Sequence, residues 1–361
     1  MNSKSLKGVD YIEIYVFNAF QAANFYRSVF GFDIIGYAGP ETGLKDQVSY
    51  FLRQGSISLL ISSAIHGDSS PSKFVVNHKE SIKDVAFTTT DVSMLYETAL
   101  RAGAVSILEP TEIYDGKLKI TKATIATFGN TVHSFIERED PSSYELPFYT
   151  PLRYPSNNIS VGLENLDHIA VALETGSMEL WKNFYEEVLG FYVFSAEDIY
   201  TDASGMKSVV ISNPAETIKF VLVEGVSGKK PSQIENFVSY HGCSGVQHIA
   251  FSSKNIIATA SLLQKQGIKF LEIPETYYEN IPPALKKNLQ DKMEIIRYSN
   301  ILVDLEKHGY LMQMFTRPPE NLPTFFIEII QRENSIGFGS NNIKALYEAV
   351  EKDQQRATIN V

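Results

Sequence analysis

Residues 9–37 read VDYIEIYVFNAFQAANFYRSVFGFDIIGY, and residues 166–196 read LDHIAVALETGSMELWKNFYEEVLGFYVFSA. Each opens on an alternating apolar stretch, Ile12, Ile14 and Val16 in the first copy, which is the pattern of a half-buried strand. Each continues into a helical stretch holding Asn-Phe-Tyr, at 24–26 and 183–185, and closes on Gly-Phe, at Gly31-Phe32 and Gly190-Phe191. The glycine supplies the left-handed residue that ends a helix. Downstream, KDVAFTTTD from Lys83 parallels QHIAFSSKN from Gln247, each followed by an apolar-periodic helix and a glycine. FIE recurs at Phe135-Ile136-Glu137 and Phe326-Ile327-Glu328. This order predicts a duplicated α+β domain built from βαβββ units, with curled sheets and helices outside. Residues 141–160, PSSYELPFYTPLRYPSNNIS, carry four prolines and read as a linker, dividing the chain into domains 1–150 and 151–361.

Composition agrees with two soluble domains. A chain of 361 residues, 44% apolar and 20% charged, can bury a core in each half. Net charge is −10 with no lysine or arginine block, which argues against nucleic acid as a partner. One cysteine, Cys243, excludes an intramolecular disulfide and fits a reducing compartment. The first residues, MNSKSLKGVDYIEIYV, lack the apolar core of a signal peptide, and no apolar run reaches membrane-spanning length. A cytoplasmic protein with no membrane association is expected.

Two copies of one scaffold reveal a site where they differ. His168 stands where the first half has Tyr11, His248 where it has Asp84, and Glu328 is matched by Glu137 through the shared FIE. Two histidines and one carboxylate thus meet only in the second half. That set holds a ferrous ion while leaving adjacent coordination positions open. The competing reading makes His168 and His248 hydrogen-bonded core histidines. The remaining histidines (His66, His78, His133, His241 and His308) fall mostly in polar or loop-like contexts and give no comparable set.

These segments resemble a known family. LDHIAVAL, SGVQHIAF and PTFFIEIIQR are similar to the three metal-ligand segments of the 4-hydroxyphenylpyruvate dioxygenase and 4-hydroxymandelate synthase family, and GKKPSQIENFV, GYLMQMFTRPP and GFGSNNIKALYEAVE support the likeness. The resemblance spans nearly the whole chain. It implies tandem vicinal-oxygen-chelate (glyoxalase/bleomycin-resistance-like) domains forming open barrels, a first half without metal, and Fe(II) held by His168, His248 and Glu328. It also implies 4-hydroxyphenylpyruvate and O2 as substrates, the 2-oxo acid itself supplying the electrons, and a homo-oligomer, dimer or tetramer. By motif match, Ser208, Gln233 and Gln313 become polar substrate contacts, Phe315 and Phe326 cavity walls, and Phe338 and Asn342 contributions from a terminal lid. Gln247 is expected on the opposite strand face from His248, as support.

Two departures resemble the synthase branch. Asn341-Asn342-Ile343 stands where the dioxygenase pattern has Gly-Asn-Phe, so Ile343 replaces a flat ring. Val221 and Val223 stand where that pattern has Pro-x-Asn, removing an amide. Other classes compatible with the fold are a metal-dependent isomerase or lyase and a metal-free binding protein. The stretch GFGSNNIKALYEAVEKDQ, 337–354, reads on its own as a phosphate loop or as a helix start capped by Ser340 or Asn341. Within the resemblance it becomes a lid whose helix docks through Ala345, Leu346, Ala349 and Val350.

Overall fold

The computed structural model describes residues 6–152, 154, 160–201, 204–306, 308–318, 322–339 and 341–347. The first half runs β1 (Leu6–Tyr15), α1 (Ala19–Phe30), β2 (Asp33–Ala38), β3 (Gln47–Gln54), β4 (Ile57–Ala64), α2 (Ser70–His78), β5 (Ser81–Thr89), α3 (Val92–Arg101), β6 (Ser106–Tyr114), β7 (Lys119–Ala126) and β8 (Val132–Arg138). After a short β9 (Thr150–Pro151), the second half repeats it with β10 (Leu163–Leu173), α4 (Met178–Leu189), β11 (Tyr192–Tyr200), β12 (Gly205–Ser212), β13 (Lys219–Val226), α5 (Gln233–His241), β14 (Gly245–Ser253) and α6 (Ile256–Lys265). Three short helices are inserted, α7 (Glu275–Glu279), α8 (Pro283–Asn288) and α9 (Met293–Tyr298), before β15 (Leu302–Leu305), β16 (Tyr310–Phe315) and β17 (Phe326–Glu333). A terminal helix covers 341–347. Local sequence sets these elements. Asn18 caps α1 by accepting from the Gln21 amide, and Gly31 and Gly190 end α1 and α4 at φ 75° and 69°.

Each half is two βαβββ units side by side, in strand order β6-β7-β8-β5-β1-β4-β3-β2 and β11-β12-β13-β10-β14-β17-β16-β15. The duplicated half-barrel fold expected from the repeat is therefore present. The domain boundary expected after residue 150 falls within β9, because Thr150 and Pro151 pair with Tyr37 and Gly36 at the edge of the first sheet. The outer sheet faces and the helices form one apolar core that runs through both halves, with Phe32 against Phe251 and Phe87 against Phe220.

Strand register fixes which positions correspond, and it corrects one expectation. Ala250 lies opposite both His168 and Glu328, whereas Ala86 lies opposite Tyr11 and the pairing of Asp84 with Val132 places Ser134 two residues on. Ser134, not Glu137, is thus the counterpart of Glu328; the FIE match is displaced by three residues. Glu137 has another task. Its carboxylate accepts the Val92 amide at the start of α3 (3.0 Å), as Gln331 accepts the Ile256 amide at the start of α6 (2.8 Å).

In the first half the metal positions are occupied by protein groups. Asp84 accepts from the Ser134 hydroxyl (2.6 Å), the Ser134 amide (3.1 Å) and the Tyr11 hydroxyl (3.3 Å). The Lys122 ammonium lies 2.9 Å from the Tyr11 oxygen and 3.5 Å from Asp84. By register Lys122 corresponds to Gln313. An ammonium on a side chain supplies there the positive charge that a metal would bring.

His133, on β8, is buried against the second half, donating through Nδ1 to the Val85 carbonyl (3.1 Å) and accepting at Nε2 from Tyr185 (2.8 Å). Burial holds its imidazole down at about 3, against an ordinary 6.5, and the Val85 contact offsets only part of this. The unfolded chain takes up this proton first, so stability present above about pH 6.5 is lost as pH falls towards 3, at about 1.4 kcal/mol per pH unit. Urea titrations of a His133→Gln variant over that window are expected to show a slope shallower than wild type by this amount.

Candidate metal centre and substrate cavity

The central strands β10, β14 and β17 lie side by side, and carry His168, His248 and Glu328 respectively. The imidazole Nε2 atoms of His168 and His248 lie 3.2 and 3.4 Å from Glu328 Oε2, and all three side chains are buried. The three ligand atoms lie within 4.8 Å of one another. Along β10 the residues sharing the His168 face are Ala170 and Ala172, which leave space in front of the imidazoles.

Hydrogen bonds fix the ring that each histidine presents. His168 Nδ1 donates to Asp167 Oδ1 (2.8 Å), and Arg332 grips Asp167 with two bonds of 2.8 Å. His248 Nδ1 lies 3.4 Å from Gln247 Oε1, so Gln247 supports that imidazole. Both Nε2 lone pairs are thereby aimed at the shared centre, an arrangement of outer partners that raises ligand basicity and orientation. Burial alone would lower the pKa of His168, but the carboxylates of Glu328 and Asp167 outweigh it and raise it. Burial likewise would raise Glu328, and the two imidazoles pull it down. The centre is built for a cation shared between one carboxylate and two nitrogens, and these donors fit a divalent metal of the iron class.

Aromatic rings close the centre. Phe326 stacks on His248 at 4.8 Å, Phe315 stands edge-on to the same ring at 6.3 Å, and Phe338 meets the His168 edge at 5.1 Å. The expected cavity residues divide into two groups. Ser208, Val221, Val223 and Phe338 lie buried in the barrel of the second half, with the half-buried Ile343 packed on the cluster holding Val221, Val223 and Phe338. Gln233, the first residue of α5, keeps a buried Oε1 with no hydrogen-bond partner.

Gln313 and Asn342 form the second group and are already engaged. Gln313 Nε2 donates to Glu328 Oε1 (2.9 Å), and its Oε1 accepts from Asn342 Nδ2 (2.9 Å). The Tyr277 hydroxyl in turn lies 2.5 Å from Asn342 Oδ1. These amides tie the metal carboxylate to the terminal helix rather than standing free in the cavity. Gly339, at φ 72°, permits the approach: a Cβ there would meet Gln313 Oε1 at 2.9 Å. The terminal helix docks through buried Ala345, Leu346 and Tyr347, the last bonded to Ser204 (2.7 Å) and the Gly205 carbonyl (3.0 Å). Ser340, Ala349 and Val350 lie outside the described residues. Asn341 does not cap through its own side chain; its amide and Nδ2 both donate to Asp304.

The residues alone did not disclose the pair behind His168. Asp167 adjoins His168, and Arg332 lies four positions beyond Glu328 on the same strand face. The rule that a metal-bound imidazole donates its second N–H to a carboxylate would have found the first. Arg332 also donates to the Gly337 carbonyl and lies 5.2 Å from the Phe338 ring, linking the ligand to the lid. An Arg332→Leu variant is expected to bind metal about 10–100-fold more weakly, measured by titration of the metal-free protein. Tyr277 belongs to the inserted helices and carried no signal. Two of the remaining histidines, His78 and His241, also depart from expectation: they converge with Cys243 into a second cluster.

This fold and this centre define a metal-dependent enzyme of the vicinal-oxygen-chelate type. Residues 8–149 and 165–280 match the Glyoxalase/Bleomycin resistance protein/Dioxygenase superfamily. The chain is 38% identical to a 4-hydroxyphenylpyruvate dioxygenase of Yarrowia lipolytica, covering 98% of this chain and 93% of the relative. It is 37% identical to the Danio rerio enzyme of that name, covering 95% and 90%. A mutant of 4-hydroxymandelate synthase from Streptomyces coelicolor superposes with a TM-score of 0.86 at 33% identity, covering 97% of this chain and 99% of that one. The chain belongs to the 4-hydroxyphenylpyruvate dioxygenase and 4-hydroxymandelate synthase family, and it is a non-haem metal-dependent dioxygenase. No helix among the described residues is long and apolar enough to cross a membrane.

Proposed function

We propose that this chain converts 4-hydroxyphenylpyruvate and O2 to 4-hydroxymandelate and CO2, with Fe(II) held by His168, His248 and Glu328. Iron, when bound, supplies the chelation of the 2-oxo acid and the activation of O2. The protein's part is placement. Gln313 and the Asp167–Arg332 pair hold the ligands in one orientation, Phe315, Phe326 and Phe338 keep water from the centre, and the Gln233 oxygen, which has no partner within the protein, accepts a hydrogen bond from the substrate phenol.

The observation that carries the choice of product is the cluster of Val221, Val223 and Ile343 in the catalytic barrel. An isoleucine gives the substrate ring no flat surface to stack on and leaves room on one side. The ring can then turn away from the reacting oxygen while the benzylic carbon approaches, a displacement on the order of 1 Å being enough to change the atom attacked. A second reading, ring hydroxylation with side-chain migration to homogentisate, is favoured by the names of the curated relatives. Ile343→Phe tests the choice: the variant is expected to bring homogentisate into the product mixture, and an unchanged product would remove Ile343 from the account. Turnover without O2 uptake would sink both readings. The protein is further expected to act as a homo-oligomer in the cytoplasm.

A further inference from the structure

The second cluster lies where the two halves meet. The nine-residue helices α2 and α5 occupy equivalent places and each ends in a histidine, His78 and His241. The duplication brings these residues together, with ring centroids 5.0 Å apart, each backed by a phenylalanine one turn earlier, Phe74 and Phe237. Cys243, just past α5, points its sulfur between them, 3.6 Å from His78 Nδ1 and 3.7 Å from His241 Nδ1. Two nitrogens and a thiolate sulfur bound to one tetrahedral zinc place each N···S pair about 3.6 Å apart, given bonds of about 2.0–2.1 and 2.3 Å.

We propose that His78, His241 and Cys243 form a second metal site, for a borderline-soft divalent cation of the zinc class, that clamps the first half to the second.

Exchange of proton for metal requires each Nδ1 to turn from the carbonyl it now meets, and the outer partners can follow that change. Without metal, His78 Nδ1 donates to the His241 carbonyl (2.8 Å) and His241 Nδ1 to the Cys243 carbonyl (2.9 Å). Their Nε2 atoms face Asn130 Nδ2 (2.8 Å) and the Ser81 hydroxyl (3.1 Å). Binding through Nδ1 moves each ring proton to Nε2, which must then donate. A serine hydroxyl can accept as well as donate, and an asparagine amide does so by turning its oxygen inward. Both outer partners therefore serve either tautomer. Burial pushes the Cys243 thiol up, with Glu174 adding to this and the Asn130 amide and Lys83 opposing it, so the metal displaces a thiol proton. The site uses none of the residues of the catalytic centre and does not depend on the proposed reaction.

The test is titration of metal-stripped protein with Co2+. Cys243 is the single cysteine of the chain, so a thiolate-to-cobalt charge-transfer band can arise only from this cluster. The band is expected to saturate by two equivalents, since the catalytic centre also takes the ion, to vanish in Cys243→Ser and to be lost or much weakened in His78→Gln and His241→Gln, with turnover retained in Cys243→Ser. Zn2+ is expected to raise the thermal midpoint of wild type by more than that of Cys243→Ser, in which the catalytic centre alone takes the ion. Should a variant fail to fold, wild type alone decides: Zn2+ must protect the thiol from iodoacetamide. Absence of the band, or a thiol alkylated equally fast with saturating Zn2+, overturns the proposal and leaves the cluster a hydrogen-bonded contact between halves.

Discussion

Glu328→Gln is expected to keep the fold and lose both metal and turnover. The change is isosteric, so Gln313 and the two imidazoles retain a partner of the same shape. What disappears is the charge: Glu328 is the carboxylate nearest both Nε2 atoms, and its negative charge offsets the positive charge of a bound ion. A neutral amide is a poor third ligand for a hard-to-borderline divalent metal. Iron content after reconstitution should fall to background and substrate-dependent O2 uptake with it, while the far-ultraviolet dichroism matches wild type. Wild-type iron content in Glu328→Gln would show that the metal is held elsewhere.

The second large effect lies in the first half. Lys122→Met removes the cation beside Asp84, which is 2% exposed, and leaves that carboxylate with hydroxyl and amide donors alone. Glu13 adds to the charge: burial already pushes its pKa up, against the pull of Lys122. Breaking a buried pair from one side costs about 3–5 kcal/mol. A loss near the lower end of that range is expected for Lys122→Met in urea unfolding, since Lys122 itself is partly solvated, and Asp84→Asn added to it should restore much of the loss. Additive losses in the double variant would mean that the two side chains do not interact. Metal content and turnover should change little in either variant, because this site lies outside the catalytic barrel.

The comparison of Lys122 with Gln313 also shows where sequence reading reaches its limit. The duplication and the histidine pair are legible because each rests on a local pattern: alternation along a strand, Gly-Phe at a helix end, a histidine against a tyrosine or aspartate. The equivalence of Glu137 with Glu328 failed for the same reason. Three identical letters outweighed the strand register, which only the pairing of β8 with β5 reveals. Lys122 lies on a neighbouring strand with no motif around it, and its role appears only across the sheet. Gln313 and Asn342 are legible as residues but not as partners, because the bond between them joins β16 to the terminal helix. His78, His241 and Cys243 carry no local pattern, and their convergence depends on how the two halves meet.

The central claim is tested most directly by the product. Metal-free protein loaded with Fe(II) under anaerobic conditions, then given 4-hydroxyphenylpyruvate and O2, yields a product that proton NMR identifies. Mass does not separate the candidates, which are isomers, but their aromatic signals do: 4-hydroxymandelate keeps a para-disubstituted ring and homogentisate carries three ring protons. The account predicts 4-hydroxymandelate as the main product, with O2 consumed and CO2 released in equal amounts. Homogentisate as the main product would contradict it.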